Sequence, residues 1–196
     1  RVNKRAAPFL YHIVKEIDAS GIPMEMVLLP IVESAFDPFA YSHGRAAGMW
    51  QFIPGTAKRF GMKQNWWYDG RRDVLASTKG AIKYLKYLNK RFKGDWLHAL
   101  AAYNSGEGRV ERAIRKNKAK GKPTDFWSLD LPRETRAYVP KLLALSELLL
   151  NNEDYDFPWP RLQSQPFTEI VDIGSQIDLA LAAEMSGLSV EELHAL

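Results

Sequence analysis

The chain has 196 residues, and its 27 Lys and Arg against 23 Asp and Glu give a net charge of +4, a mild basic excess that suits an anionic polymer and equally a solvated surface that happens to be basic. It has no cysteine, which excludes disulfides, thiolate metal sites and cysteine nucleophiles together. Hydrophobic content of 46% allows one domain with a sizeable core and a small appendage, and no apolar run is long enough to span a membrane. No signal peptide is visible before Arg1, as expected of a processed or trimmed piece of something longer.

Residues 6–19 place Leu10, Ile13, Val14 and Ile17 on one helical face, and Ser20-Gly21 stops that helix. Ile22-Pro23 opens a second helix, whose Met24, Val27, Leu28, Ile31 and Val32 cover most of its circumference, so it is expected to be buried. Pro30 is expected to kink it just before Glu33 at its C-terminal end. There, burial and the negative end of the helix dipole both raise a carboxyl pKa. Residues 37–47 read as a loop, and Pro54-Gly55-Thr56 starts a short helix ending at Gly61. Residues 65–72 form a surface loop bearing Trp and Tyr.

Asp73 caps a long helix with the stripe Leu75, Ile82, Leu85, Leu88 and Phe92, and Asp95 caps the next, which Gly106 stops. Residues 108–118 are a short basic helix, and 124–131 are a linker holding Phe126 and Trp127. A last long helix over 134–150 is apolar at Val139, Leu142, Leu143, Leu145, Leu148 and Leu149. Residues 1–152 therefore read as an all-α domain of about seven helices. The stretch 153–166 is a polar, Pro-rich linker. After it, 167–173 alternates like a strand, Gly174-Ser175 turns, and short helices are expected over 177–185 and, capped by Ser189, over 190–196.

The four histidines are scattered, with no paired metal-ligand spacing, and neither a phosphate-binding glycine loop nor a nucleophile elbow around Ser105 is present. No metal and no cofactor is expected. What remains is acid chemistry at Glu33, although a Glu at a helix end is by itself more often a solvated or capping residue. Ser42, Gln51, Tyr68, Tyr103, Asn104, Glu134 and Tyr138, with Trp50, Trp66 and Trp67, supply the flat apolar faces and fixed dipoles that a sugar needs. Trp96 and Trp127 read as core. A hydrolytic glycosidase would need a second carboxylate, for which Asp37, Asp69 and Glu134 are available. Asp37, before Pro38, is better explained as a turn residue.

Glu33-Ser34, Gly48-Met49-Trp50-Gln51 and Ala102-Tyr103-Asn104 stand in the order and spacing of the lytic transglycosylase domain, and residues 134–139 resemble that family's last motif. The resemblance covers about residues 5–152; one departure is Trp50, where the broad family often has Met. It implies a mainly α, goose-type lysozyme-like helical fold. It also implies a cell-wall enzyme that cuts the peptidoglycan bond between N-acetylmuramic acid and N-acetylglucosamine without water, leaving 1,6-anhydro ends. Glu33 would be the acid and then the base. Tyr103 and Tyr138 would lie near the reacting centre, and Ser42, Met49, Gln51, Asn104 and Glu134 would contact the sugars or orient Glu33. A hydrolytic muramidase and a non-catalytic wall-binding module are the alternatives.

The family further implies a periplasmic monomer whose partner is the glycan strand, with no nucleic acid. Its only membrane link would be a lipidated N-terminal anchor that this chain lacks. Residues 167–196 resemble the first strand and two helices of a LysM module, a small α+β fragment expected to pack on the catalytic domain rather than bind sugar.

Overall fold

Two aspartates set the helices at the centre of the fold. In the computed structural model, which describes residues 2–155, 165–166, 168–169 and 171–195, Asp73 accepts from the Ala76 amide at 2.8 Å and starts α5 (Val74–Arg91). Asp95 accepts from the His98 amide at 3.0 Å and starts α6 (Trp96–Ser105). These caps satisfy amides that a helix start leaves open. Helix α6 is central because its buried residues are mostly small. Ala99, Ala101 and Ala102 are fully buried, which lets α5, α7 (Glu107–Ala119) and α8 (Arg133–Leu150) all pack against it. Gly106, at φ +85°, turns the chain from α6 straight into α7.

The N-terminal part wraps this centre with α1 (Val2–Ala6) and α2 (Leu10–Ser20), the latter against α5. The expected kinked helix over 22–34 is instead two pieces. A 3-10 turn at Met24–Leu28 runs into α3 (Leu29–Ser34), with Pro30 in its first turn. There the missing N–H costs nothing, so proline starts a helix rather than bending one. Ala35 and Phe36, at φ +54° and +58°, then reverse the chain directly after Glu33 and Ser34. Phe36 is buried, and its amide donates back to the Pro30 carbonyl at 3.1 Å. Helix α4 (Pro54–Arg59) follows the loop, as its Pro-Gly-Thr start predicts.

Some packing differs from the sequence reading. Trp127 is 62% exposed, because a 3-10 turn at Phe126–Ser128 sends Phe126 into the core in its place. Leu143 and Leu149 fall off the packing face of α8 and stand exposed, while Val139 and Leu142 are buried. Among the described residues there is no strand, only isolated bridges at Tyr41–Ala47, Ala47–Phe52 and Gln64–Asp69. The expected strand over 167–173 lies partly outside the described residues, and its described residues, 168–169 and 171–173, form none. Beyond the short α9 (Asn152–Tyr155), most of the expected linker lies outside the described residues. Two helices, α10 (Leu179–Ser186) and α11 (Val190–Ala195), form as expected, and a LysM-like α+β fragment is not supported. The tail touches α2 where His12 Nε2 lies 3.0 Å from the Thr168 carbonyl oxygen.

The loop between α3 and α4 is fixed by a buried guanidinium. Arg71, 7% exposed, donates to the Arg45 carbonyl at 2.7 Å and the Phe52 carbonyl at 3.2 Å. It also pairs with Asp69 at 2.6 Å. Gly48, at φ +80°, passes so close that a Cβ there would fall 1.7 Å from the Arg71 carbonyl oxygen. Backbone on both sides leaves no room to relax. Gly48→Ala is therefore expected to destabilise the fold by about 3 kcal/mol or more, read from denaturant unfolding; a change below ~1 kcal/mol would mean the two loops are not in this contact.

Candidate active site

Glu33 reaches a cleft of about 750 Å³ from the last turn of α3. The loop with Ser42 and Gln51 makes one wall, and the C-terminal turn of α6 with the first turns of α8 makes the other. Tyr138 of α8 donates its hydroxyl to Glu33 Oε1 at 2.5 Å, joining residues 105 apart in sequence. Burial pushes the Glu33 carboxyl from its ordinary 4.5 up to about 7, the donated hydrogen bond from Tyr138 opposes this, and the charge of Glu134 reinforces it. Tyr103 and Tyr138 are held well above the ordinary phenol range, first by burial and then by facing Glu33. Both stay hydroxyl donors at any physiological pH.

The surrounding groups are positioned from several elements. Tyr103 donates to the Trp50 carbonyl at 2.8 Å and packs on the rings of Phe52 and Tyr84. Asn104 donates to Glu134 Oε1 at 3.2 Å and accepts from the buried Thr135 hydroxyl at 2.8 Å, so Glu134 is oriented through a side chain that is itself fixed. Gln51 sits at φ +50° and donates to the Gly48 carbonyl at 2.8 Å, which ties its amide to the wall. Ser42 accepts from the Ala46 amide at 3.1 Å.

Most of the expected site residues thus converge: Glu33, Ser42, Gln51, Tyr103, Asn104, Glu134 and Tyr138 all line the cleft. Met49 does not. It is 1% exposed, and its carbonyl accepts from Ser34 Oγ at 2.9 Å beneath the wall. Trp50 is fully buried with its indole N–H on Thr78 Oγ1, so it is core and not a sugar platform. Trp66, Trp67 and Tyr68 lie outside the cleft lining.

Of the three possible second acids, Asp69 is engaged by Arg71, which lowers its pKa, and Asp37 pairs with Arg5 at 2.8 Å while capping a turn. Only Glu134 faces the cleft. The sequence reading missed Glu107, another cleft carboxylate. Burial works against its ionisation, but its own backbone amide, Arg59 at 3.2 Å and the Tyr87 hydroxyl outweigh that and keep its pKa low. Its place directly after the helix-stopping Gly106 was the available signal. A second concavity of about 380 Å³, between α1, α2 and the end of α8, is lined mainly by aliphatic groups such as Val14, Leu28 and Leu149. It has none of this convergence of polar groups.

Residues 12–126 match the family described as the transglycosylase SLT domain. The chain is 52% identical over 192 residues to membrane-bound lytic murein transglycosylase D of Escherichia coli, covering 98% of this chain and 42% of that protein. It is 32% identical over 119 residues to soluble lytic murein transglycosylase of Salmonella typhimurium, covering 57% of this chain and 18% of that one. The chain therefore spans less than half the length of these relatives. Among solved structures, an inactive mutant of lytic transglycosylase Slt from Pseudomonas aeruginosa superposes with a TM-score of 0.57 at 24% identity, over 80% of this chain and 25% of that one. That likeness shows a common fold.

Because the Glu33 pKa is raised in the folded chain, its protonated form adds stability that is complete below about pH 4.5 and lost as pH rises through about 7. Glu33→Gln, which cannot ionise, is expected to gain on the wild type across that window by at most about 3 kcal/mol. Unfolding curves at pH 4 and pH 8 measure this, and a difference that does not change with pH would contradict the raised pKa.

Proposed function

The chain belongs to the transglycosylase SLT domain family, and from that premise we propose that it is a peptidoglycan lytic transglycosylase. The proposed reaction cleaves the β-1,4 bond between N-acetylmuramic acid and N-acetylglucosamine without water. The observation that carries this is Glu33 alone: a carboxyl with its pKa raised to about 7, under a neutral phenol donor, in a polar cleft. The other cleft carboxylates are occupied, Glu134 by Asn104 and Glu107 by Arg59. This favours one acid acting twice over a pair dividing the roles.

Protonated Glu33 gives its proton to the glycosidic oxygen as the bond to the muramic C1 breaks, and the leaving sugar departs with a 4-hydroxyl. The substrate's own N-acetyl group stabilises the positive charge left at C1. Glu33, now a carboxylate, accepts the proton of the C6 hydroxyl as that oxygen bonds to C1. The 1,6-anhydro ring closes and Glu33 is protonated again, with no water consumed. Tyr138 holds Glu33 by its hydroxyl, and Tyr103 lies beside the reacting centre. Ser42, Gln51, Asn104 and Glu134 hold the sugars, and Met49 serves from beneath by packing the wall.

The proposed setting is the periplasm, the chain acting as a monomer on glycan strands and tied to the outer membrane by a lipidated segment preceding it. The names of its relatives support the membrane link. The tail is proposed to pack on the catalytic domain, for which the His12–Thr168 contact is the support.

Digestion of purified sacculi is expected to release muropeptides one water lighter than the hydrolytic products, by mass spectrometry. Mainly reducing muramic ends would make the enzyme a muramidase instead. Glu33→Gln is expected to lower turnover by about 10³-fold, and wild-type turnover should decline as pH rises above about 7, where Glu33 loses its proton. Full activity in Glu33→Gln would remove the acid from the mechanism.

A further inference from the structure

Trp66 and Trp67 are 89% and 87% exposed, more than any other large apolar side chain described. Two indoles left in water contribute almost nothing to folding, and such a patch marks a contact surface. The turn that presents them is rigid. Asn65 Oδ1 accepts from the amides of Trp67 at 2.9 Å and Tyr68 at 2.8 Å, and the Asn65 amide closes onto the Tyr68 carbonyl at 2.9 Å. Tyr68 is anchored to Asp73 at 2.8 Å.

The same turn is built into the cleft wall. Gln64 donates to the Pro54 carbonyl at 3.2 Å, between the cleft-lining residues Ile53 and Thr56. Asp69, at the turn's far end, pairs with the buried Arg71, which also holds the carbonyls of Arg45 and Phe52 in that wall. The turn that carries the two indoles therefore keeps a fixed place outside the cleft but on its own scaffold.

We propose that Trp66 and Trp67 form an outlying glycan-binding platform, on which sugars of the strand beyond the cleft stack by their C–H faces. The proposal rests on the glycan substrate inferred above. Flat exposed rings carried on a backbone held by hydrogen bonds suit a saccharide. A lipid surface fits less well, because the turn is tied through Gln64 and Arg71 to the wall of the polar cleft, which suits a strand that continues out of that cleft.

Binding is best measured in the Glu33→Gln background, so that catalysis does not enter the reading. Trp66→Ala/Trp67→Ala is expected to weaken binding to purified sacculi by roughly ten-fold. Trp66→Phe/Trp67→Phe, which keeps flat rings, should retain most of it. With Glu33 intact, the alanine pair should turn over a short muropeptide tetrasaccharide like the wild type, since the cleft is untouched, and this also reports that the variant is folded. Undiminished binding of the alanine pair to sacculi overturns the proposal. So does sedimentation of the wild type, but not the pair, with phosphatidylethanolamine–phosphatidylglycerol vesicles, which would assign the turn to lipid. If Glu33→Gln proved fully active, the catalytic reading would fail, and the platform would still be tested by comparing sacculus binding of the wild type and the alanine pair in the cold, before digestion sets in.

Discussion

A carboxylic acid stays protonated near neutral pH only if its charged form is denied both water and a cation. Burial of the Glu33 carboxyl is where this fold meets that condition, and it outweighs the hydrogen bond from Tyr138, which works the other way. A phenol satisfies one carboxyl oxygen without supplying positive charge, and its own ionisation is suppressed by the same burial. An arginine at that position would stabilise the carboxylate and leave no proton to give. The bond requires α3 and α8 to meet at a fixed distance, which depends on the alanine-lined α6 that α8 packs against.

The wall opposite is stiff for a different reason. It has no strands to hold it, only isolated bridges, and its order comes from one guanidinium serving two backbone carbonyls and one carboxylate. An arginine is the side chain that can do this, because its donors are fixed in a plane and it never loses its charge. The left-handed conformations at Ala35, Phe36, Arg45 and Gln51 cluster in the same region. They are tolerated where hydrogen bonds over-determine the backbone.

Helix starts were legible because a cap is a local event: Asp73 and Asp95 act within three residues of themselves. Glu33 was legible because apolar neighbours in sequence imply burial. Inward or outward orientation in irregular backbone was not legible. Trp50 stands two residues after the left-handed Gly48 in a short bridged turn, and its ring is buried there. Phe126 and Trp127 are adjacent, and only the three-dimensional path of the 3-10 turn decides which is buried. Alternation over 167–173 permits a strand but cannot supply its pair. Glu107 escaped notice because its partners, Arg59 and Tyr87, lie on other helices.

The burial of Arg71 also separates two responses to ionic strength. Its guanidinium lies inside the protein, where its bonds to the Arg45 and Phe52 carbonyls are shielded from mobile ions, while the chain's excess of four positive charges faces solvent and is screened beyond about 8 Å at physiological salt. Concentrated salt should therefore weaken the long-range pull toward an anionic polymer, such as the proposed glycan, and leave the cleft's shape intact. Encounter is tunable by the medium, and the geometry of the reaction is insulated from it.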